Sequence, residues 1–274
     1  MSIWRVGVLG MRNLFIFAFC LSNLIYVSAS DLIIQSTTST RDSGLYEYLL
    51  PKYPEYNKLN IKVVAVGTGQ AIINAKNCDG DLLIVHDTKR ELEFMRKGYG
   101  IQRHSLMFND FVIVGPSKDP AKIKNNNNPE DAFISIAKSN SKFISRSDSS
   151  GTHSAEISIW NKSKINPLPF SGKWYFESGQ GMGPSLNIAT AKNAYIFTDR
   201  SSWLKYKNKR NHIILYENKD KLKNEYGIIL INFNRCKNIN ESLASDLYNW
   251  LVSDIAKMHI TNYMIDDVQV FYTD

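Results

Sequence analysis

Past residue 30, short apolar runs alternate with amphipathic stretches. Residues 32–35, 61–66, 82–85 and 111–114 are dense in Ile, Val and Leu and read as buried strands. Between them, 42–50, 70–76 and 89–97 read as helices. In the first, Leu45, Tyr48 and Leu49 fall on one face. Residues 122–131, asparagine-rich and holding Pro129, read as a surface loop. The rhythm then resumes, with strands at 142–144 and 194–198 and helices at 152–161 and 184–192. An apolar strand follows at 227–231. Residues 241–259 read as one amphipathic helix carrying Leu243, Leu247, Trp250 and Leu251. This alternation predicts an α/β fold with a mostly parallel sheet and crossover helices. No internal repeat interrupts it.

The N-terminus follows a different pattern. Residues 1–12 carry Arg5 and Arg12 and no acid, and 14–27 are apolar but for Ser22 and Asn23. Val27, Ser28, Ala29 and Ser30 then lead to the first acid, Asp31. Basic, apolar, then small is the order of a signal peptide, which predicts removal of 1–30 near Ala29 or Ser30 and export of the rest. The apolar run is shorter than the ~20 residues of a membrane span. Bulky Phe19 ahead of Cys20 argues against a lipoprotein.

Composition narrows the class. With 43% hydrophobic and 22% charged residues the chain is globular, which excludes a disordered chain, a collagen or a coiled coil. Its 274 residues allow one large domain or two lobes. Removing 1–30 takes two arginines and no acid, lowering the formal charge from +7 to +5. The basic residues are scattered and form no block interleaved with aromatics, so nucleic acid is not an expected partner. Cys78 and Cys236 remain, and in an oxidising compartment they could pair.

The chemistry sits where strands run into helices. After 32–35 come Ser36, Thr37, Thr38, Ser39 and Thr40; after 61–66 come Gly67, Thr68 and Gly69. After 142–144 come Ser145, Arg146, Ser147, Asp148, Ser149, Ser150, Gly151 and Thr152. A further segment, 179–183, holds Gly179, Gly181 and Gly183 before a helix. In open α/β sheets such turns gather at the carboxyl edge, where ligands bind. Helix N-termini offer unpaired N–H groups there, glycines admit close approach, and hydroxyls add neutral donors. Many neutral donors and few cations suit a small, partly buried dianion. Each turn alone reads more readily as an ordinary helix cap than as a ligand site. No Walker A loop is present. His86 and Asp87 with His104 fit no standard metal spacing, and Asp79-Gly80-Asp81 reads as a turn. Ser150 beside His153 lacks the Gly-x-Ser-x-Gly elbow of a serine hydrolase.

Taken together, the motifs resemble one family in order. They are Ser-Thr-Thr-Ser-Thr-Arg-Asp-Ser-Gly-Leu (36–45), Val-Gly-Thr-Gly-Gln-Ala (66–71), Leu-Leu-Ile-Val-His-Asp (82–87) and Asn-Asp-Phe-Val-Ile-Val-Gly-Pro (109–116). Ser-Arg-x-Asp-x-Ser-Gly-Thr-His (145–153), Gly-Gln-Gly-Met-Gly (179–183) and Thr-Asp-Arg (198–200) follow. The chain resembles the tungstate-binding, substrate-binding component of bacterial tungstate ABC transporters. The resemblance implies an α/β, two-lobed periplasmic-binding-protein fold of type II. Each lobe is a mixed sheet flanked by helices, and two crossing strands form the hinge near 111–114 and 227–231. Lobe I would be 31–112 with 227–274, and lobe II 113–226. An oxyanion in the cleft would be held at Thr37, Thr38, Ser39, Thr68, Arg146, Ser150, Gly151 and Thr152. The implied protein is a monomeric periplasmic receptor. It has no catalytic residue and no cofactor, and it delivers tungstate to an ABC permease. Molybdate, sulfate or phosphate on the same scaffold is the nearest alternative. An exported hydrolase using Ser150 or Ser149 is the alternative from another class. The chain departs from the family pattern at Ser36 (usually Thr), at Ser147 and Ser149 (usually Gly and Asp), and at Ser201-Ser202 (usually Gly-Thr).

Overall fold

The computed structural model describes residues 30–274; residues 1–29, which hold the expected signal peptide, lie outside the described residues. Along the first part run β1 (Ser30–Thr37), α1 (Thr38–Asp42), α2 (Leu45–Leu49), β2 (Leu59–Val66), α3 (Thr68–Lys76), β3 (Leu82–Val85), α4 (Thr88–Arg96) and β4 (Gly100–Pro116). Then come α5 (Pro129–Lys138), β5 (Phe143–Ser145), α6 (Gly151–Lys162), β6 (Tyr175–Glu177), α7 (Met182–Lys192), β7 (Tyr195–Asp199), α8 (Arg200–Lys205) and β8 (His212–Glu217). β9 (Lys223–Ile231), α9 (Glu241–Leu251) and α10 (Asp254–Thr261) follow. Among the described residues no helix is long and apolar enough to cross a membrane.

The sheet is mixed, whereas strand–helix alternation alone predicts a mostly parallel one. β1 lies parallel to β2 and β3, and β5 lies parallel to β6 and β7. β9 is antiparallel to both β3 and β4, and β4 is antiparallel to β7 and β8. The cause is the long β4, which serves two half-sheets. It pairs with β9 up to Asp110 opposite Lys223, and from Phe111 opposite Asp199 it pairs with β7. At the switch the Phe111 amide donates to the Leu222 carbonyl, just before β9 begins. Two adjacent strands thus carry the chain between the halves.

Each half-sheet is covered on both faces, which is why its strands read as unbroken apolar runs. In the first half, Leu82 and Ile84 pack toward Leu247, Leu251 and Tyr226. Leu83 and Val85 pack toward Ala71, Phe94 and Ile229 on the other face. In the second, Ile113 joins Phe133, Trp160 and Phe197, while Val112 and Val114 join Leu186 and Ile196. The two-residue period of a strand separates these pairs.

Local chemistry explains where the elements depart from the expected ones. The helix expected at 42–50 starts only at Leu45, as α2, because Gly44 sits at φ +82°, a left-handed turn that separates it from α1, which lies almost wholly upstream. The expected loop 122–131 contains buried Ile123, and its end opens α5. Asn128 Oδ1 caps that helix by accepting the Asp131 amide at 2.7 Å, and Pro129 takes the first turn. The helix expected over 241–259 is interrupted at Ser253, whose hydroxyl caps α10. Cys78 after α3 and Cys236 after β9 form a disulfide, a pairing the sequence leaves open.

Candidate functional site

The turns that follow β1, β2, β3, β5 and β7 converge beside the two crossing strands. Thr37 ends β1 and caps α1. Its Oγ1 accepts the Thr40 amide at 3.4 Å and lies 3.1 Å from Ser39 Oγ and 2.7 Å from Thr40 Oγ1. Thr38 is half-buried and Ser39 buried. Ser36 is occupied with structure, donating to the Ile84 carbonyl at 2.9 Å and meeting Tyr46 Oη at 2.6 Å.

Contacts join the two halves across the cluster. The Gly151 amide donates to Thr68 Oγ1 at 3.1 Å. The Ser149 carbonyl accepts from the Gly69 amide and from Arg90 Nη1, each at 3.0 Å. Gly151 has to be glycine in this arrangement, since a Cβ there would stand 2.5 Å from the His86 carbonyl and 2.7 Å from its Nδ1. The two halves touch here, and the expected hydroxyl and glycine turns face each other.

Arg146 is buried, at 3% exposure. Its Nη2 donates to Asp148 Oδ2 at 2.6 Å, while its Nε is buried with no hydrogen-bond partner among the described residues. Thr152 Oγ1 is also buried and unpaired, as is Asp199 Oδ2. An unpaired buried donor costs about 1–3 kcal/mol, so such atoms mark where a partner belongs. Guanidinium Nε can only donate, so what fits it is an acceptor. Asp148 is fully engaged, its Oδ1 taking the Ser150 amide at 3.1 Å and the Ser150 hydroxyl.

Ser150 caps α6 by accepting the His153 amide at 3.1 Å. The His153 ring instead lies 3.2 Å from Ser145 Oγ and 3.6 Å from Glu156. The nucleophile–base contact a serine hydrolase needs between Ser150 and His153 is therefore not made. The 179–183 segment follows β6, whose strand the sequence does not reveal, and Gly181 caps α7. Arg200 of the Thr-Asp-Arg motif grips Asp110 at the strand switch with bonds of 2.7 and 2.6 Å, and it also pairs with Glu217.

His86 is the residue that sequence reasoning weighed only as a metal ligand. It follows β3 directly, so the strand-end rule that picks out the other turns would have picked it too. Its buried ring lies 3.3 Å from Ser39 Oγ, and its backbone abuts Gly151. His104 is elsewhere, bonded to Tyr248 Oη at 2.7 Å. Among the described residues no group of His, Cys, Asp and Glu is arranged to hold a metal ion. A groove of about 1010 Å³ opens beside this cluster, lined in part by His86, Arg90, Phe111, Gly151, His153 and Asn224.

A mixed sheet whose two halves share crossing strands and are flanked by helices defines a type II periplasmic-binding-protein fold. The chain matches the PBP superfamily domain over residues 26–254 and belongs to that family. It is 40% identical over 234 residues to the tungstate-binding protein TupA of Peptoclostridium acidaminophilum, covering 85% of this chain and 81% of that protein. It is 38% identical over 240 residues to TupA of Campylobacter jejuni, covering 86% and 88%. Among solved structures, the tungstate ABC transporter protein of Geobacter sulfurreducens is similar with a TM-score of 0.78 and 38% identity, covering 86% of this chain and 100% of that one. TupA of Desulfovibrio alaskensis G20 follows with a TM-score of 0.77 and 36% identity, covering 90% and 99%.

The hydroxyl turns can be tested one atom at a time. Thr38→Val and Thr68→Val each remove a hydroxyl at nearly constant volume. Each is expected to weaken oxyanion binding by about 1–3 kcal/mol, measured by calorimetry. Thr40→Val is expected to change little, because its hydroxyl is turned to Thr37. Equal effects at all three positions would mean that the first turn is only a cap.

Proposed function

We propose that this protein is a periplasmic receptor that captures tungstate between its lobes and delivers it to an ABC permease. The observation that carries this reading is the pair of buried, unpaired groups, Arg146 Nε and Thr152 Oγ1, in the cleft of a chain so similar to tungstate-binding proteins. The oxyanion would be held at Thr37, Thr38, Ser39, Thr68, Arg146, Ser150, Gly151 and Thr152. The lobes would be 31–112 with 227–274, and 113–226. They would turn about the strand pair through which Asp110 meets Lys223 and Phe111 meets Asp199. Binding closes the lobes, and the permease recognises the closed form. The signal peptide read at 1–30 supplies export, and the receptor acts as a monomer without a cofactor or catalytic step.

Ligand-dependent melting tests the assignment. A ligand bound only by the folded chain stabilises it by RT ln(1 + [L]/Kd), about 2.7 kcal/mol at ~100 Kd. For a chain of this size that is an upward shift of roughly 5–10 °C. The expected order is tungstate first, molybdate similar or smaller, and sulfate close to zero at equal concentration. Sulfate is the smaller tetrahedron, so donors fixed by several helix starts could not all reach it. Phosphate carries a proton near neutral pH and needs an acceptor; Asp148 is already occupied by Arg146 and Ser150, which leaves Asp199 Oδ2 as the acceptor it would have to reach. A shift with sulfate or phosphate as large as that with tungstate would make the cleft a general anion site.

A further inference from the structure

His86 sits in a bonding network that fixes where its hydrogens are. Its Nδ1 lies 3.0 Å from Asn224 Oδ1, and its Nε2 lies 3.3 Å from Ser39 Oγ. Asn224 Nδ2 donates to Asn109 Oδ1 at 2.7 Å and to Tyr226 Oη at 3.2 Å. In this arrangement the Asn224 oxygen is the atom facing His86, which places the hydrogen on Nδ1. In the neutral ring Nε2 is then a lone pair, and the Ser39 hydroxyl donates to it. A hydroxyl has one hydrogen. While that hydrogen points at His86, Ser39 offers only lone pairs to an anion.

The charges around the ring bear on this. Asp87 adjoins it in sequence, Asp199 approaches from the end of β7, and Arg146 approaches from the β5–α6 turn. Tyr226 of β9 and Phe111 of β4 flank it, with ring centroids at 4.9 and 6.4 Å, and α6 presents the Gly151 backbone. Burial holds the imidazole below its usual range, and Arg146 pushes the same way against Asp199 and Asp87. The ligand-free ring is therefore neutral near pH 7. Arg146 is meanwhile paired with Asp148, so the cleft has little positive charge left for a dianion. An uncompensated buried charge is costly.

We propose that His86 takes a proton from solvent when the dianion binds, and that this turns the Ser39 hydroxyl onto the ligand. An N–H bond forms at Nε2, Nε2–H donates to Ser39 Oγ, and the Ser39 hydrogen is released to an oxyanion oxygen. The ion gains a donor and a nearby positive charge together. This rests on the oxyanion reading of the same site. The ligated state holds the extra proton, so raising the pH through the interval between the free and ligated pKa values of His86 weakens binding. The limit is tenfold per pH unit. A monoanion draws less charge into the site and gains less from the switch.

Calorimetric titration with sodium tungstate at pH 7.5, in buffers of different ionisation enthalpy, tests this. The wild type is expected to take up a substantial fraction of one proton per tungstate bound. His86→Gln is expected to bind more weakly, with no buffer-dependent heat and a flat affinity from pH 6.5 to 8.5. NMR titration of the wild-type His86 ring gives the same answer without a variant, as an upward pKa displacement of about one unit or more on adding tungstate. Tungstate binding without proton uptake, an unmoved ring titration, or linkage that persists in His86→Gln would overturn the proposal while leaving the receptor reading intact. Absence of any tungstate binding would overturn both.

Discussion

Arg146→Lys is expected to weaken tungstate binding by about 10- to 100-fold and leave the melting temperature of the ligand-free protein nearly unchanged. The guanidinium is a fork with distinct duties. Nη2 holds Asp148 at 2.6 Å, and buried Nε has nothing to donate to among the described residues. A lysine has a single nitrogen on a flexible stem, so it can keep Asp148 or reach the anion, without the fixed geometry that serves both. The lost charge-assisted bond is worth about 1.5–3 kcal/mol, which converts to the stated range in Kd. The fold has little reason to respond. Lysine preserves the ion pair, and the other bond at this residue comes from Ser178 Oγ to its backbone carbonyl. Calorimetry and a melting curve on the same sample check both halves. Unchanged affinity would remove Arg146 from the site.

What the sequence makes legible follows from how local each signal is. β3 reads clearly because all of its side chains are apolar and buried on both faces. The N-terminal half of β4 does not, because Gln102, Arg103, His104 and Ser105 break the apolar pattern. They lie within a strand because β9 pairs with them and because Arg103 is satisfied from outside, by Glu91 at 2.7 Å and Glu225 at 2.8 Å. Glu91 shows the same limit. On α4 it looks like a solvated position, yet it is fully buried, and burial raises its carboxyl to about 7 against the pull of Arg103. Helix caps defeat periodicity as well, as Asn128 and Ser253 show.

The candidate site divides along the same line. Hydroxyls and glycines at strand ends are visible one turn at a time, and their order along the chain carries the family resemblance. The bonds between turns are not visible. Thr68 meets Gly151 across 83 residues, and His86 meets Asn224 across 138. Nor does the sequence say which acid is spent. Asp148 stands inside the arginine motif and looks available, but Arg146 and Ser150 occupy it. Asp199, by contrast, keeps a buried oxygen without a partner.

Breaking the Cys78–Cys236 bridge is expected to lower the melting temperature by about 5–15 °C with a much smaller effect on ligand affinity. The bridge spans 158 residues, so it closes a very long loop in the unfolded chain. Chain-entropy arguments put the stabilisation from such a loop near 5 kcal/mol, and removing native disulfides costs roughly 2–5 kcal/mol. At ~2–4 °C per kcal/mol for a protein of this size, the shift follows. The bridge ties the end of α3 to the turn after β9, and Asn238 Nδ2 reinforces the junction by donating to the Cys78 carbonyl at 2.8 Å. The other end of α3 bears Thr68, so the ligand site lies on a helix anchored at its far terminus. That helix is also held by fully buried Ala71 and Ala75 packing on Leu83 and Val85, contacts that survive reduction. The double variant Cys78→Ser/Cys236→Ser should therefore melt early yet show nearly the wild-type tungstate-induced increment in Tm. Wild type treated with dithiothreitol should behave alike. An unchanged melting temperature in both would show that the bridge contributes no net stability. A lost increment would show that the bridge, and not the apolar packing of α3, holds Thr68 in place.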